Sequence, residues 1–353
     1  MQRRKRLLWF LVIGAFLLYF LIFPQQSVDS VREGMQLCLE RLAPALFPYL
    51  VLSNLFLASG GAQSMGRRIG RWMQRVFRVG SGGVIALLLG LTGGYPLGAK
   101  TAAALCRDGI VEQRDAERLL LFCNNAGPAF LFGVVGAACY RSTAVGAVLY
   151  AAHILSALIC GLLLRGESCD QKFVPREKPL PPFSEAFVSA VSDAGRTLVT
   201  ISLLVTVFTV LLGVMRQVFH SCEALQLLLT AVLELSSGCI AIASSSLPWS
   251  AKLSLTAAAV GWGGVCVHLQ TVTALQGTGL SVRPYLRAKA LQAALSALIV
   301  FPVSKLISPV AQTFSSDTVL LPISPMPWCI FSCGMICLIF LQFTTSISDE
   351  KGL

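Results

Sequence analysis

The stretch LTGGYPLGAK, residues 91–100, decides how this chain is read. It lies inside an apolar run, 83–105, yet Gly93, Gly94, Pro96 and Gly98 cannot sustain a regular helix there. A break leaves backbone amides and carbonyls free. In lipid such groups are unsatisfied at a cost of several kcal/mol each, so a break persists only where protein or a wet cavity covers it. Close helix packing accounts for a single Gly-Gly pair. Four breakers in six residues beside a lysine point instead to a site. Lys100 is the only side chain charged at neutral pH between Arg78 and Arg107. Either it faces a cavity and supplies charge for an anion, aided by the positive end of a half-helix, or its head snorkels toward Arg107 and water.

The rest of the chain agrees with lipid as solvent. Of 353 residues, 55% are hydrophobic and only 13% charged, with a mean hydropathy of +0.72. The net charge of +11 resides in segments between apolar runs, as topology-setting residues do. No basic stripe interleaved with aromatics suggests nucleic acid. The 12 cysteines include no C-x-x-C pair. Cys329, Cys333 and Cys337 share a helical face and read as packing residues of a last span rather than a metal site. No cofactor or enzyme signature is present, and the three histidines lie in three different segments, which argues against a metal or triad site.

Apolar runs occupy 7–23, 43–60, 83–105, 119–138, 143–164, 197–215, 224–247, 252–276, 290–307 and 328–345. The MQRRKR start followed by an apolar run with no cleavage site reads as an uncleaved first span, 1–26, with its basic end cytoplasmic. Residues 27–42 are amphipathic and are expected to lie in the interface. If 83–105 and 224–247 are re-entrant hairpins, the segments 1–6, 61–80, 106–118, 165–183, 277–289 and the tail share one side and hold 20 of the 28 Lys and Arg residues. That asymmetry favours eight crossings plus two hairpins in an all-α polytopic membrane protein. The same assignment gives two repeats, 27–164 and 184–307, joined by a proline-rich linker at 165–183 and followed by an external loop, a last span and a tail over 308–353. Each repeat crosses three times, so the second is inverted relative to the first, an arrangement typical of secondary transporters.

The two halves supply the candidate site. Beside the first hairpin (Gly93, Gly94, Tyr95, Pro96, Gly98, Lys100), the run CNNAGPAFLFG places Asn124 and Asn125 before a Gly-Pro break. Adjacent carboxamides point to different faces, so at least one should meet a cavity or another helix. In the second half, ELSSGC puts Glu234 before Ser236, Ser237 and Gly238. A lone carboxyl in an apolar run is protonated, paired or part of an ion relay, which makes Glu234 the coupling candidate. GWGGVCVHLQT then brings His268 and Gln270 after a glycine break, and Tyr95 and Trp262 could stack on a planar ring.

These motifs, in this order, resemble the YlbJ (SpoVV) family of sporulation integral membrane proteins within the nucleoside-recognition or Gate superfamily. The resemblance rests on EGMQLCLERLAPALFPYLVLSNLF, GGYPLGAK, AERLLLFCNNAGPAFLFG, ELSSG and RPYLRAKALQAALS, and covers roughly residues 31–305. Where the family often has Ser-Gly-Tyr-Pro, this chain has Gly93-Gly94-Tyr95-Pro96. The resemblance implies a fold similar to concentrative nucleoside transporters. It also implies export of dipicolinate from the mother cell across the outer forespore membrane. The residues themselves lead to a transporter of a small anionic solute embedded in lipid, and not to dipicolinate; a nucleoside would suit most of the same groups, and a non-transporting Gate subunit of a spore-envelope complex is the reading from another class. Self-association into a homo-oligomer is compatible with all three.

Overall fold

The computed structural model describes residues 2–59, 61–166, 180–219 and 221–315. All regular structure among them is helical. In chain order the helices are α1 (Gln2–Ile22), α2 (Pro24–Leu37), α3 (Ala43–Ala58), α4 (Gly61–Phe77), α5 (Val84–Gly93), α6 (Leu97–Arg107), α7 (Gln113–Cys123), α8 (Thr143–Leu163), α9 (Phe183–Val218), α10 (Glu223–Leu233), α11 (Leu235–Ser244), α12 (Trp249–Trp262), α13 (Gly264–Ala274) and α14 (Arg283–Ser315). A π-helical turn, Cys38–Leu42, joins α2 to α3, and a longer π-helix, Ala129–Cys139, precedes α8.

Five helical segments are long and apolar enough to cross a membrane: Pro24–Phe56, Thr143–Leu163, Phe183–Val218, Trp249–Ala274 and Arg283–Ile307. A sixth is reached if Ile69–Phe77 and Ser81–Gly93, bent by 105°, count as one span. The protein is thus an all-helical, polytopic membrane protein, with fewer full-length spans among the described residues than the eight expected. One reason is visible. The run 119–138 is cut where α7 ends at Cys123 and the chain extends through 124–127. The expected last span, 328–345, and Cys329, Cys333 and Cys337 lie outside the described residues, as does most of the proline-rich linker.

Residues 27–42 are not a separate amphipathic element but the first part of a longer helical rod. Pro24 fits the first turn of α2, where its missing N–H is not needed, and the helix runs on through the π turn into α3. This rod packs antiparallel along α9 through its small polar face: Ser27, Ser30, Gly34 and Cys38 are buried. A Cβ on Gly34 would lie 2.8 Å from the Thr206 Cα, so the helices touch backbone to backbone. The apolar residues Val28, Val31, Met35 and Leu39 face outward instead. The basic segment 61–80 is largely the helix α4, which buries Met73 and Phe77 and turns sharply into α5 at Gly80–Gly83.

Two helix pairs fold back on themselves. In a straight helix, residues seven or eight apart are about 10–12 Å distant. Here a Cβ on Gly90 would meet Gly98 Cα at 3.1 Å, and one on Gly238 would meet Ala231 Cα at 2.6 Å. The α5–α6 pair therefore reverses at 94–96 and the α10–α11 pair at Glu234. The extended segment 124–127 and the left-handed Gly263 (φ +88°) break two further rods, α7–π and α12–α13. All four breaks converge. Gly94 packs on Gly127, Tyr95 reaches Gly263, and Gly264 abuts the backbone of Leu233–Leu235.

One end of the molecule gathers several basic segments. Gly80 N–H donates to Asp115, Arg78 to the Gly166 carbonyl, Gln113 to the Gly279 carbonyl, and Ser281 N–H to Glu117. Segments 61–80, 106–118, the start of 165–183 and the loop 277–283 therefore share an end.

Candidate functional site

At the meeting of the four breaks lies a buried polar cluster, centred on a residue that the sequence reading had counted among loop charges. Lys289 on α14 is fully buried. Its Nζ donates to Gln292 Oε1 at 2.7 Å and to Asn125 Oδ1 and Tyr95 Oη at 3.4 Å. It lies 5.3 Å from the centroid of the Tyr95 ring and 5.9 Å from that of Tyr285. Its partners are all neutral oxygens, and among the described residues no carboxylate pairs with it. Helical spacing explains how α14 delivers this cluster. Tyr285, Lys289, Gln292 and Ser296 stand at i, i+4, i+7 and i+11 and form one buried stripe. That stripe was readable in the sequence. It was hidden by Arg283 and Arg287, which made Lys289 look like the third member of a basic loop.

Both asparagines join the cluster. Asn125 Oδ1 accepts from Lys289 and from Gln292 Nε2 at 3.1 Å, while its amide donates to the Phe122 carbonyl at 2.6 Å. Asn124 donates to Thr271 at 2.9 Å and to Tyr285 at 3.3 Å, and its oxygen accepts from the Ala99 N–H. His153 on α8, absent from the sequence reading, accepts from the Ala126 N–H at 3.0 Å and stands beside Gln292. His268 Nδ1 is 3.2 Å from the Tyr285 hydroxyl. Two histidines expected to be scattered thus meet one network; His220 is outside the described residues. Their neighbours are carboxamides and hydroxyls, and no metal-holding group of His, Cys, Asp or Glu occurs among the described residues.

Other candidates fall elsewhere. Lys100 is exposed and its Nζ donates to Thr197 on α9 at 2.7 Å, so the charge in this site comes from Lys289 instead. Glu234 is buried and accepts the N–H groups of Ser236 (3.0 Å) and Ser237 (2.6 Å), which makes it the N-cap of α11. The helix starts in both hairpins are therefore engaged by the protein's own side chains, Asn124 at α6 and Glu234 at α11. Gln270 is buried but meets only the Cys266 sulfur. Gly93, Gly94, Pro96 and Gly98 act through backbone shape: a Cβ on Gly98 would strike the Cys123 carbonyl and one on Gly94 the Gly127 amide.

A groove of about 1410 Å³ adjoins the cluster. One wall is the charged face of α2; the other is α10, α11 and α12, with Ser237 and Trp262 at its inner end.

Comparison with known proteins agrees with the architecture. The chain is 25% identical, over 332 aligned residues, to the sporulation integral membrane protein YlbJ of Bacillus subtilis (strain 168), covering 82% of this chain and 81% of that protein. No family model and no solved structure matches it. The alignment spans most of both chains, and the apolar multi-helix architecture suits a relative named as an integral membrane protein. On these grounds the chain belongs to the YlbJ family of sporulation integral membrane proteins.

Proposed function

We propose that this protein is a secondary-type transporter or facilitator, not an enzyme, that moves a small aromatic carboxylate, with dipicolinate the leading substrate. The observation that carries the reading is Lys289. A buried lysine surrounded only by neutral oxygens lacks the counter-charge that its protonated form demands. A carboxylate supplies it, and the Tyr95 and Tyr285 rings beside the amine suit a planar ring. The order of elements supports two inverted repeats: hairpin α5–α6, broken rod α7–π and α8 precede hairpin α10–α11, broken rod α12–α13 and α14. The relative's printed role in sporulation makes the outer forespore membrane the proposed location, with the basic end in the mother-cell cytoplasm.

The test is flux of dipicolinate and uridine in proteoliposomes. Dipicolinate movement above background that Lys289→Gln reduces by about ten- to a hundredfold, at unchanged protein level, is the expected result. Uridine flux insensitive to Lys289 would favour a nucleoside. No flux of either would make the chain a non-transporting subunit.

A further inference from the structure

Two features border the Lys289 cluster without being consumed by it: the groove and the second ring nitrogen of His268. On the groove's outer wall stand Asp29, Arg32, Glu33, Gln36, Glu40 and Arg41. Arg216, which pairs with Glu33 at 3.1 Å, follows the apolar run of α9 directly and so marks the membrane interface. Glu40 and Arg41 lie seven and eight residues further along the rod, about 10–12 Å deeper. Exposed charges at that depth require water, so the groove is wet from the interface inward. Its inner end includes Ala290 and Ala293, sequence neighbours of Lys289 and Gln292. The water-filled path and the buried lysine are thus on adjacent faces of the same turns of α14.

Between them is Trp262. Its Nε1 donates to the Val232 carbonyl at 3.0 Å, and its ring meets that of His268 at 4.4 Å and 84°. It is followed by Gly263 and Gly264, both left-handed (φ +88° and +81°), which leaves the indole on a joint that other residues would stiffen. The Tyr285 hydroxyl accepts from Asn124 and stands 3.2 Å from His268 Nδ1, the partner to which it can give its own proton. Nε2 of the neutral ring then carries hydrogen. That nitrogen is buried with no hydrogen-bond partner, and His268 is only 6% exposed. A buried donor left unpaired is unfavourable unless a ligand completes it.

We propose that the groove is the route for a small carboxylate between Lys289 and the end of the molecule marked by Arg216, that Trp262 closes its inner end, and that the His268 Nε2–H receives the carboxylate on the way. The ligand class rests on the transport reading; the route does not. The experiment uses the full-length protein in liposomes, a membrane-impermeant cationic thiosulfonate, and mass spectrometry of each labelled peptide. Ser237→Cys should be labelled readily. His268→Cys should be labelled slowly with Trp262 present, and about tenfold or more faster when Trp262→Ala is added, because the indole shields it. In the Ser237→Cys chain, dipicolinate should slow labelling. His268→Leu should raise the concentration needed by about ten- to a hundredfold, and His268→Gln, which keeps an N–H, should restore most of it. A Ser237 site that resists the reagent, or a His268 site indifferent to Trp262, overturns the route. Protection unchanged in His268→Leu overturns the carboxylate contact. Flux through the unmodified protein separates the two claims. Trp262-dependent labelling without dipicolinate flux removes the transport reading and keeps the route, while flux with Trp262-independent labelling does the reverse.

Discussion

Two lysines and one glutamate show what single residues in lipid can and cannot reveal. Lys100 drew attention because it stands alone beside four helix breakers, but α6 turns it outward to Thr197. Lys289 looked ordinary, yet it is the charge around which Tyr95, Asn125 and Gln292 gather. The two substitutions should therefore separate. Lys100→Gln should leave uptake within about twofold, as exposed substitutions usually do, while Lys289→Gln abolishes most of it. Equal losses in a flux assay would return Lys100 to the site. Glu234 poses the same question in reverse. Its carboxylate takes two backbone N–H groups at the start of α11, so Glu234→Ala should destabilise the fold by about 1–2 kcal/mol, read as a lower melting temperature in detergent. A capping role also predicts that the pH profile of uptake keeps its shape in Glu234→Gln. A displaced profile in a stably folded variant would restore the coupling role that its solitary position suggested.

Elements were more legible than residues. Gly94, Pro96, Gly127, Pro128, Gly263 and Glu234 stand at or beside the places where the helices stop, because a missing Cβ, a missing N–H or a capping carboxylate acts locally and can be read locally. What could not be read is which face of a helix meets another. Residues 27–42 are amphipathic, and in water their apolar side would be the buried one; here the small polar side is buried against α9 and the apolar side faces out. Lipid removes the hydrophobic penalty that would decide the matter in water, and close approach through small residues then wins. The same logic predicts which glycines are indispensable. A Cβ on Gly98 would strike the Cys123 carbonyl and one on Gly90 would meet it closer still, whereas a Cβ on Gly133 would sit 3.7 Å from Ala45. Gly90→Ala and Gly98→Ala should therefore lower the melting temperature sharply or prevent accumulation in the membrane. Gly133→Ala should fold normally. Equal melting of all three would mean that the α5–α6 hairpin does not seat against α7 as described.

The whole molecule is organised by its two ends, and that organisation makes the topology testable without knowledge of the substrate. Asp115, Gln113 and Glu117 tie the start of α7 to Gly80, Gly279 and Ser281, and Arg78 reaches Gly166. These contacts place chain segments from both halves at one end whatever the number of crossings. Arg107, Arg114 and Arg118 belong to the segments of that end, and the proposed topology, by the positive-inside rule, makes it cytoplasmic. At other points the chain is tied by Tyr140 to Lys252 and by Arg216 to Glu33, where basic residues are sparse. An impermeant thiol reagent applied to intact cells should therefore miss cysteines placed at Asp108 and Ser281 and reach those placed at Arg141 and Gln217. Inside-out vesicles should give the opposite pattern. The decisive comparison is between Asp108 and Ser281, which lie in different halves of the chain. Labelling of one from outside and the other from inside would break the contacts that join α7 to the 279–281 loop, and with them the convergence of helix breaks around Lys289.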